Sequence, residues 1–265
     1  MIVNFTKMHG LGNDFVVIDL ITQGARLNKN HITRIANRTF GIGCDQVILI
    51  TPPTRADADF FYRIYNSDGT EVEQCGNGVR CAAKFFIANG LTNKSKLEAD
   101  CLGGTMELEV DSAQQQVTVN LGKNYTGVTK HELNYAGLPH EIYSVSTGNP
   151  HGVCIVANVN DVPINEWGAK LTIDPIFPNQ ANIGFMQVVN RDHVILRVFE
   201  RGVGPTLACG SAACAALLVG KHLNLLNSRV KVEFAYGDLI IDLQNNENLY
   251  MTGPATSVYI GRFRI

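Results

Sequence analysis

Alternation of apolar and polar positions dominates the chain. It runs through Phe60-Tyr62-Ile64, Met106-Leu108-Val110, Val117-Val119-Leu121, Val194-Leu196-Val198 and Val230-Val232-Phe234, the period of a strand with one buried face. Phe15-Val16-Val17-Ile18 and Val47-Ile48-Leu49-Ile50 are apolar without alternation and read as strands buried on both faces. Helical spacing is rarer. Ile32/Ile35/Ala36 and Ile164/Trp167/Gly168/Leu171 mark one-faced helices, and Val79/Ala82/Ala83/Phe86 follow i, i+3, i+4, i+7 spacing. From Ser211 to Val219 every position is apolar or small, which predicts a helix buried all round.

These elements come in the same order twice. Each half reads as a peripheral helix, then strands, then a central helix, then more strands. We read this as an internal duplication of a strand-rich unit wrapped around a central helix. The polar stretch Ser112-Ala113-Gln114-Gln115-Gln116 is the expected hinge, or equally a plain hairpin loop.

Both central helices open with the same three-residue pattern. Cys75-Gly76-Asn77 runs into Val79-Arg80-Cys81-Ala82-Ala83, and Cys209-Gly210-Ser211 runs into Ala212-Ala213-Cys214-Ala215-Ala216. The two leading cysteines stand about half the chain apart. A thiol at a helix start faces aligned peptide dipoles and free N–H groups, which favour its thiolate. A glycine directly after it lets a ligand approach the backbone, and the N–H groups suit a carboxylate. Taken singly, each cysteine would be buried core more often than catalyst; the repetition shifts the reading toward function.

Composition narrows the classes. The chain has 265 residues, 45% of them hydrophobic and 17% charged, with a formal net charge of −2. That is globular composition, long enough for two modest domains. It lacks the basic stripe of a nucleic-acid binder. No charged leader followed by an apolar stretch opens it, and no run nears the ~18 apolar residues of a membrane span. Seven cysteines, an odd number scattered along the chain, argue against a disulfide framework and for a reducing cytoplasm.

Other motif readings fail on spacing. Gly10-Leu11-Gly12, Gly41-Ile42-Gly43 and Gly76-Asn77-Gly78 have Phe15, Gln46 and Cys81 where a dinucleotide fingerprint needs its third glycine, and no P-loop lysine exists. Cys75/Cys81 and Cys209/Cys214 are too widely spaced for a Cys-x-x-Cys metal site, with no histidine cluster beside them. Cys44, Cys81, Cys101, Cys154 and Cys214 read as buried small hydrophobes. No metal and no cofactor is expected.

The stretch Asn66-x-Asp68-Gly69-Thr70-x-Val72-x-x-Cys75-Gly76-Asn77-Gly78-x-Arg80 resembles the signature of the diaminopimelate epimerase family, cofactor-independent amino-acid epimerases of lysine and peptidoglycan synthesis. Met8-His9-Gly10-Leu11-Gly12-Asn13-Asp14-Phe15 and Gly41-Ile42-Gly43-Cys44-Asp45-Gln46 resemble its earlier blocks. Gly148-Asn149-Pro150-His151, Asn182-Ile183-Gly184-Phe185 and Glu200-Arg201-Gly202 resemble later ones, and Gly253-Pro254-Ala255 with Val258-Tyr259 its C-terminal segment. Pro205 stands where the family often has Glu, and Ala212 where Gly is common.

The resemblance implies an α+β fold of two pseudo-symmetric domains, each a strand-rich open barrel around a central helix. The expected domains are 1–115 with 252–265, carrying Cys75, and 116–251, carrying Cys209. It implies that Cys75 and Cys209 are the acid/base pair, tuned by His151 and Glu200. Asn13, Gln46, Asn66, Asn149, Asn182, Glu200 and Arg201 would hold the substrate's charged groups. The backbone of Gly76-Asn77 and Gly210-Ser211 would hold the α-carboxylate, and Tyr259 would sit at a homodimer contact. The implied partner is a small amino-acid substrate, interconverted between the LL and meso forms of 2,6-diaminopimelate.

The chemistry is demanding. A thiol and an α-proton differ by on the order of 10 pKa units, each worth about 1.4 kcal/mol, while a helix dipole contributes about 0.3–2 kcal/mol. Preorganised donors in a dry site must supply the rest. Three rivals differ in what they predict. A proline-type racemase would enclose a small ring, whereas this set of Asn, Glu and Arg suits a longer substrate. A thiol-redox protein would need a disulfide that inactivates an epimerase. A non-catalytic binding member of the fold would have no need of both cysteines.

Overall fold

The computed structural model describes every residue except Gln74, Ala136 and Leu138. The chain divides into two compact units, Met1–Asn120 with Thr252–Ile265, and Leu121–Met251. The first contains strands β1 (Ile2–Gly10) and β2 (Asn13–Asp19), helix α1 (Lys29–Ala36), strands β3 (Gln46–Thr51), β4 (Phe60–Asn66) and β5 (Glu71–Val72), helix α2 (Gly76–Ala88), and strands β6 (Lys96–Cys101), β7 (Gly104–Asp111) and β8 (Gln116–Gly122). The second contains β9 (Thr129–Glu132), β10 (Glu141–Ser146), β11 (Pro150–Ile155), α3 (Ile164–Thr172), β12 (Asn182–Asn190), β13 (His193–Glu200), β14 (Gly204–Thr206), α4 (Gly210–His222), β15 (Arg229–Phe234), β16 (Gly237–Leu243) and β17 (Leu249–Pro254). The last strand, β18 (Thr256–Arg264), belongs to the first unit and pairs with β1.

The pairing pattern repeats strand for strand. In the first unit β2 and β3 are parallel, β3 and β4 antiparallel, β4 pairs with the short β5, and β4 and β6 are parallel. In the second, β11 and β12 are parallel, β12 and β13 antiparallel, β13 pairs with the short β14, and β13 and β15 are parallel. The duplication read from the element order is thus present in the hydrogen bonding.

Two layers of helix explain the uninterrupted apolar strands. In the first unit Val16, Ile18, Val47 and Leu49 pack with Ile32, Ile35 and Ala36 of α1, while the other faces of β2 and β3 turn to α2. Both faces are covered, so neither strand can afford polar alternation. In the second unit Ile142, Cys154, Ile183 and Phe185 pack with Ile164 and Leu171 of α3. There α4 is buried continuously from Ala212 to Gly220, as its composition predicts. Burying each of Leu217 and Leu218 contributes roughly 1.5–3 kcal/mol as an upper estimate. Cys44, Cys81, Cys101, Cys154 and Cys214 are buried too.

Of the two readings of the polar stretch after β7, the hairpin is the one present. Ser112–Gln116 is a hairpin turn, with Asp111 opposite Gln116 in the β7–β8 ladder. The Asp111 carboxylate closes it by accepting from the Ala113 and Gln114 N–H groups. Val117 and Val119 beyond it are fully buried and pair with Val110 and Leu108. These apolar anchors tie residues 116–120 to the first unit, so the chain crosses at Asn120/Leu121 instead of after residue 115.

A charge cluster pins the openings of β2 and β3. Lys7 bonds the Asp14 carboxylate at 2.5 Å and also the Gly43 carbonyl. Arg38 grips both Asp14 oxygens at 3.1 and 2.8 Å and bonds Asp45 at 2.8 Å. Asp14 N–H donates to Asp45, and Asp45 N–H returns the bond to Asp14. Burial opposes ionisation of Asp14, but Arg38 and Lys7 outweigh it and hold the carboxyl well below the usual range. Its stabilisation is therefore complete above the unfolded carboxyl pKa of about 3.9 and is lost as pH falls toward the lower folded value. Asp14→Asn should lower Tm by several degrees at neutral pH, and the gap should narrow as pH falls below about 4. Thermal melts across that range check this; a gap independent of pH would rule out the charge.

Candidate active site

Cys75 is the N-cap of α2, with extended backbone angles of φ −148° and ψ 118°. Two donors aim at its sulfur: the Gly78 N–H at 3.4 Å and the Asn13 side-chain amide at 3.8 Å. Both favour negative charge on Sγ. A Cβ on Gly78 would lie 2.9 Å from Ile64 Cδ1 and 3.4 Å from Cys75 Cβ, so a glycine allows this first turn to seat against β4. Gln46 opens β3 and pairs in register with Asn66 at the end of β4. Its amide donates to Asn66 Oδ1 at 2.9 Å, leaving Gln46 Oε1 buried and unpartnered. Asn66 is held in turn by Thr70 Oγ1 at 3.2 Å.

Cys209 is the N-cap of α4, again extended at φ −135° and ψ 115°. The Ala212 N–H and Ser211 favour its thiolate as Gly78 favours that of Cys75, but burial and the Glu200 carboxylate outweigh them. The thiol donates to the Glu200 carboxylate at 3.4 Å and lies 3.3 Å from Ser211 Oγ. Burial, reinforced by the Glu200 charge, pushes the thiol well above its ordinary pKa. Asn182 opens β12, and its Oδ1 accepts the Arg201 N–H at 2.9 Å. The Arg201 guanidinium is anchored on the Asn179 carbonyl at 2.7 Å. Thr147 Oγ1 holds the Ser211 carbonyl at 3.3 Å, steadying the first turn of α4.

His151 is 1% exposed. Its Nε2 lies 3.0 Å from Asn149 Oδ1. That oxygen accepts, so Nε2 carries the proton and Nδ1 is left as a buried acceptor. Burial, then the Arg201 charge, lowers its pKa to about 3. The ring is neutral at physiological pH and fixes the Asn149 amide.

Register shows how the halves correspond. Phe15 pairs with Gln46 as His151 pairs with Asn182, which makes Asn13 equivalent to Asn149 and Gln46 to Asn182. Gln46 pairs with Asn66, and Ile183 with Phe199, so Asn66 corresponds to Glu200. Each unit therefore gathers its expected residues at one sheet end: Asn13, Gln46 and Asn66 in the first, Asn149, Asn182, Glu200 and Arg201 in the second. Asn77 is buried, while Gly76, Gly210 and Ser211 are half-buried. Tyr259 lies apart from these sets, on β18 against Phe5, ring centroids 5.8 Å apart. Pro205 is an exposed partner of Phe199 in the β13–β14 ladder and Ala212 is buried in α4.

Sequence reading gave no role to Thr147, Asn179 or Arg80. Arg80 is 0% exposed; the sequence signalled it as the last residue of the signature stretch and as a charge inside an apolar helix run, without a role. Thr147 and Asn179 act through backbone contacts that no motif records.

The His151 assignment has a pH signature. An unfolded histidine takes a proton near pH 6.5 whereas the folded ring does not until about pH 3. His151 thus draws down stability as pH falls between those values, and none above them. NMR of the intact protein should show His151 ring resonances that do not titrate from about pH 8 to 5; a midpoint near 6.5 would contradict the neutral buried ring.

Comparison with known proteins follows this geometry. The family model described as "Diaminopimelate epimerase" matches residues 5–126 and 143–258. The diaminopimelate epimerase of Thioalkalivibrio sulfidiphilus is 45% identical over 279 residues, covering 100% of both chains. That of Acinetobacter baumannii is 45% identical over 276 residues, covering 99% of this chain and 97% of its own. Among solved structures, a PhzF-family phenazine biosynthesis protein of Bacillus anthracis shares the fold, with a TM-score of 0.75 at 17% identity and full coverage of both chains. A hydroxyproline epimerase of Agrobacterium vitis also shares it, with a TM-score of 0.69 at 12% identity over 98% of this chain and 92% of its own. Matched in both halves and over its whole length, this chain belongs to the diaminopimelate epimerase family.

Proposed function

We propose that the chain is an isomerase that interconverts LL- and meso-2,6-diaminopimelate, using Cys75 and Cys209 as its acid/base pair and no cofactor. The observation that carries this reading is the opposed hydrogen bonding of two helix-capping cysteines. Cys75 receives donors from Gly78 and Asn13, while Cys209 donates to Glu200. One is prepared to take a proton and the other to give one. Family membership and the names of relatives about 45% identical support the same substrate.

In this reading the Cys75 thiolate removes the α-proton of one enantiomeric centre, and the Cys209 thiol returns a different proton to the opposite face. The roles reverse in the other direction. The N–H groups of Gly76-Asn77 and Gly210-Ser211 hold the α-carboxylate, whose second negative charge develops in the transition state. Helix N-terminal donors are already oriented for it and need not reorganise. Glu200 accepts from the Cys209 thiol, and neutral His151 fixes Asn149 without adding charge. Asn13, Gln46, Asn66, Asn149, Asn182 and Arg201 bind the distal amino-carboxylate. The buried, unpartnered Gln46 Oε1 suits an ammonium N–H.

We propose further that the protein is a cytoplasmic homodimer whose contact includes Tyr259. Val258, Tyr259 and Ile260 are 57%, 46% and 77% exposed, side by side on a strand paired with β1. Among the described residues no helix is long and apolar enough to cross a membrane. Tyr259→Asp places a charge in that apolar row, and sedimentation should then report a shift toward monomer; an unchanged dimer would remove this residue from the interface.

Cys75→Ser and Cys209→Ser should each cut epimerisation by about a hundredfold or more, because a hydroxyl is a far weaker acid than a thiol. Circular dichroism should be unchanged. Near-normal turnover by either variant would refute the two-thiol chemistry. Comparative kcat/KM should favour diaminopimelate strongly over proline, alanine and lysine, since each distal polar group left unpaired costs about 1–3 kcal/mol. Preference for proline would move the protein to the racemase branch.

A further inference from the structure

Arg80 is a fully buried guanidinium on the helix that Cys75 caps. Its Nη1 donates to the Gly76 carbonyl at 3.0 Å, its Nη2 to Asn77 Oδ1 at 2.8 Å, and its Nε to the Pro254 carbonyl at 3.4 Å. The fork thus ties the first turn of α2 to the chain just before β18. A Cβ on Gly10 would lie 3.2 Å from Arg80 Nη2, so the glycine leaves room for the guanidinium against β1.

This is a costly place for a cation. A buried ion loses several kcal/mol of solvation, an arginine cannot shed its proton, and the first turns of a helix repel positive charge. Neutral carbonyl and amide oxygens repay part of that cost. A nearby anion would repay more. Burial lowers the pKa of the guanidinium, and a charge on Cys81 or on Cys75 would oppose that. Burial pushes Cys81 up to about 12 and keeps it uncharged, which leaves Cys75 as the thiol able to answer the cation. Tyr62 on β4, which also feels Cys75, is kept neutral by its own burial. On the strands packed against α2, Lys7 pairs with Asp14, Arg63 with Glu71 and Asp100 with Arg55, and β2, β6 and β7 also carry Asp19, Lys96, Glu98, Glu107, Glu109 and Asp111. Lys84, one turn further along α2, donates to the Ala255 carbonyl. His9 on β1 is also ionisable and sits beside Gly10.

We infer that Arg80 is a positioning residue that keeps Cys75 as the thiolate in the resting protein, by its charge as well as by its grip on the Gly76-Asn77 turn. The duplication supplies the contrast. Five residues after Cys209 the equivalent position is Cys214, buried and uncharged, and the charge beside Cys209 is the Glu200 carboxylate. Each half biases its own cysteine, in opposite senses. The bias belongs to the resting protein; during turnover the configuration of the bound centre still selects which thiol takes the proton. This assignment rests on the two-thiol reading, but its test requires no turnover.

The test is the pH profile of iodoacetamide alkylation at Cys75, located by mass spectrometry in full-length Cys209→Ser protein. Arg80→Met and Arg80→Gln should each move the midpoint upward and slow alkylation at neutral pH by about tenfold. The glutamine variant keeps a hydrogen-bonding head and serves if the methionine variant fails to fold. Arg80→Lys, which retains the charge, should stay close to the parent profile. Cys209 in a Cys75→Ser background should be unaffected by any of the three. Superimposable profiles for Arg, Gln and Met would overturn the proposal, as would a lysine variant shifted as far as glutamine, or equal shifts at both thiols. Epimerase assays of the two serine parents beside the unmutated protein keep the two readings apart: near-normal turnover by either parent would sink the two-thiol chemistry whatever the alkylation profiles show.

Discussion

Unpaired N–H groups at the start of a buried helix are the constraint on which this structure depends. The first turns of α2 and α4 cannot satisfy their own amide donors, yet both helices are enclosed along most of their length by sheet. Something must accept those donors where the helices begin. In α2 part of the answer is the Cys75 sulfur, which takes the Gly78 N–H. The rest is available to an anionic ligand, which is why a helix start so readily becomes a carboxylate site. Within each unit the strands and the peripheral helix enclose the central helix, and in the first the charge cluster at Asp14 pins the strand openings beside its start.

Given that frame, a single duplicated unit can perform asymmetric chemistry only by changing what surrounds each cysteine. The backbone is nearly the same in both: an extended cap, a glycine, then a helix. The side chains differ. Asn66 in one half corresponds to Glu200 in the other, Arg80 to Cys214, and Phe15 to His151. Each substitution alters charge or polarity beside a sulfur or a binding amide while leaving the ladder intact. His151 shows the same economy, since its burial holds it neutral and its remaining proton orients Asn149.

Much of this was legible before any coordinates. Alternation located the strands because one face of each is wetted, and the unbroken run from Ser211 to Val219 announced a helix with no wet face. The repeated Cys-Gly pattern named both helix starts. Ser112–Gln116 left hinge and hairpin equally open because its polarity has a local cause, the Asp111 turn, and the sign that the next strand stays with the first unit was the alternation of Val117 and Val119. The Lys7–Asp14–Arg38–Asp45 cluster was invisible because its members are separated in sequence and each alone resembles a surface charge. Arg80 was in view but without a role. It closes the signature stretch, yet only packing reveals that all of it is buried and that it grips the turn Cys75 caps.

The central claim is that two different groups handle the two faces of one carbon. The most direct measurement is the fate of hydrogen when unlabelled LL-diaminopimelate is converted in D₂O by protein stripped of metal. The account predicts that the first meso product carries deuterium at the inverted carbon while unreacted LL substrate recovered at the same time carries none, because the proton removed stays on one thiol and the one returned comes from the other. Product that retains the substrate's own hydrogen at that carbon would show a single group serving both faces, and would contradict the account.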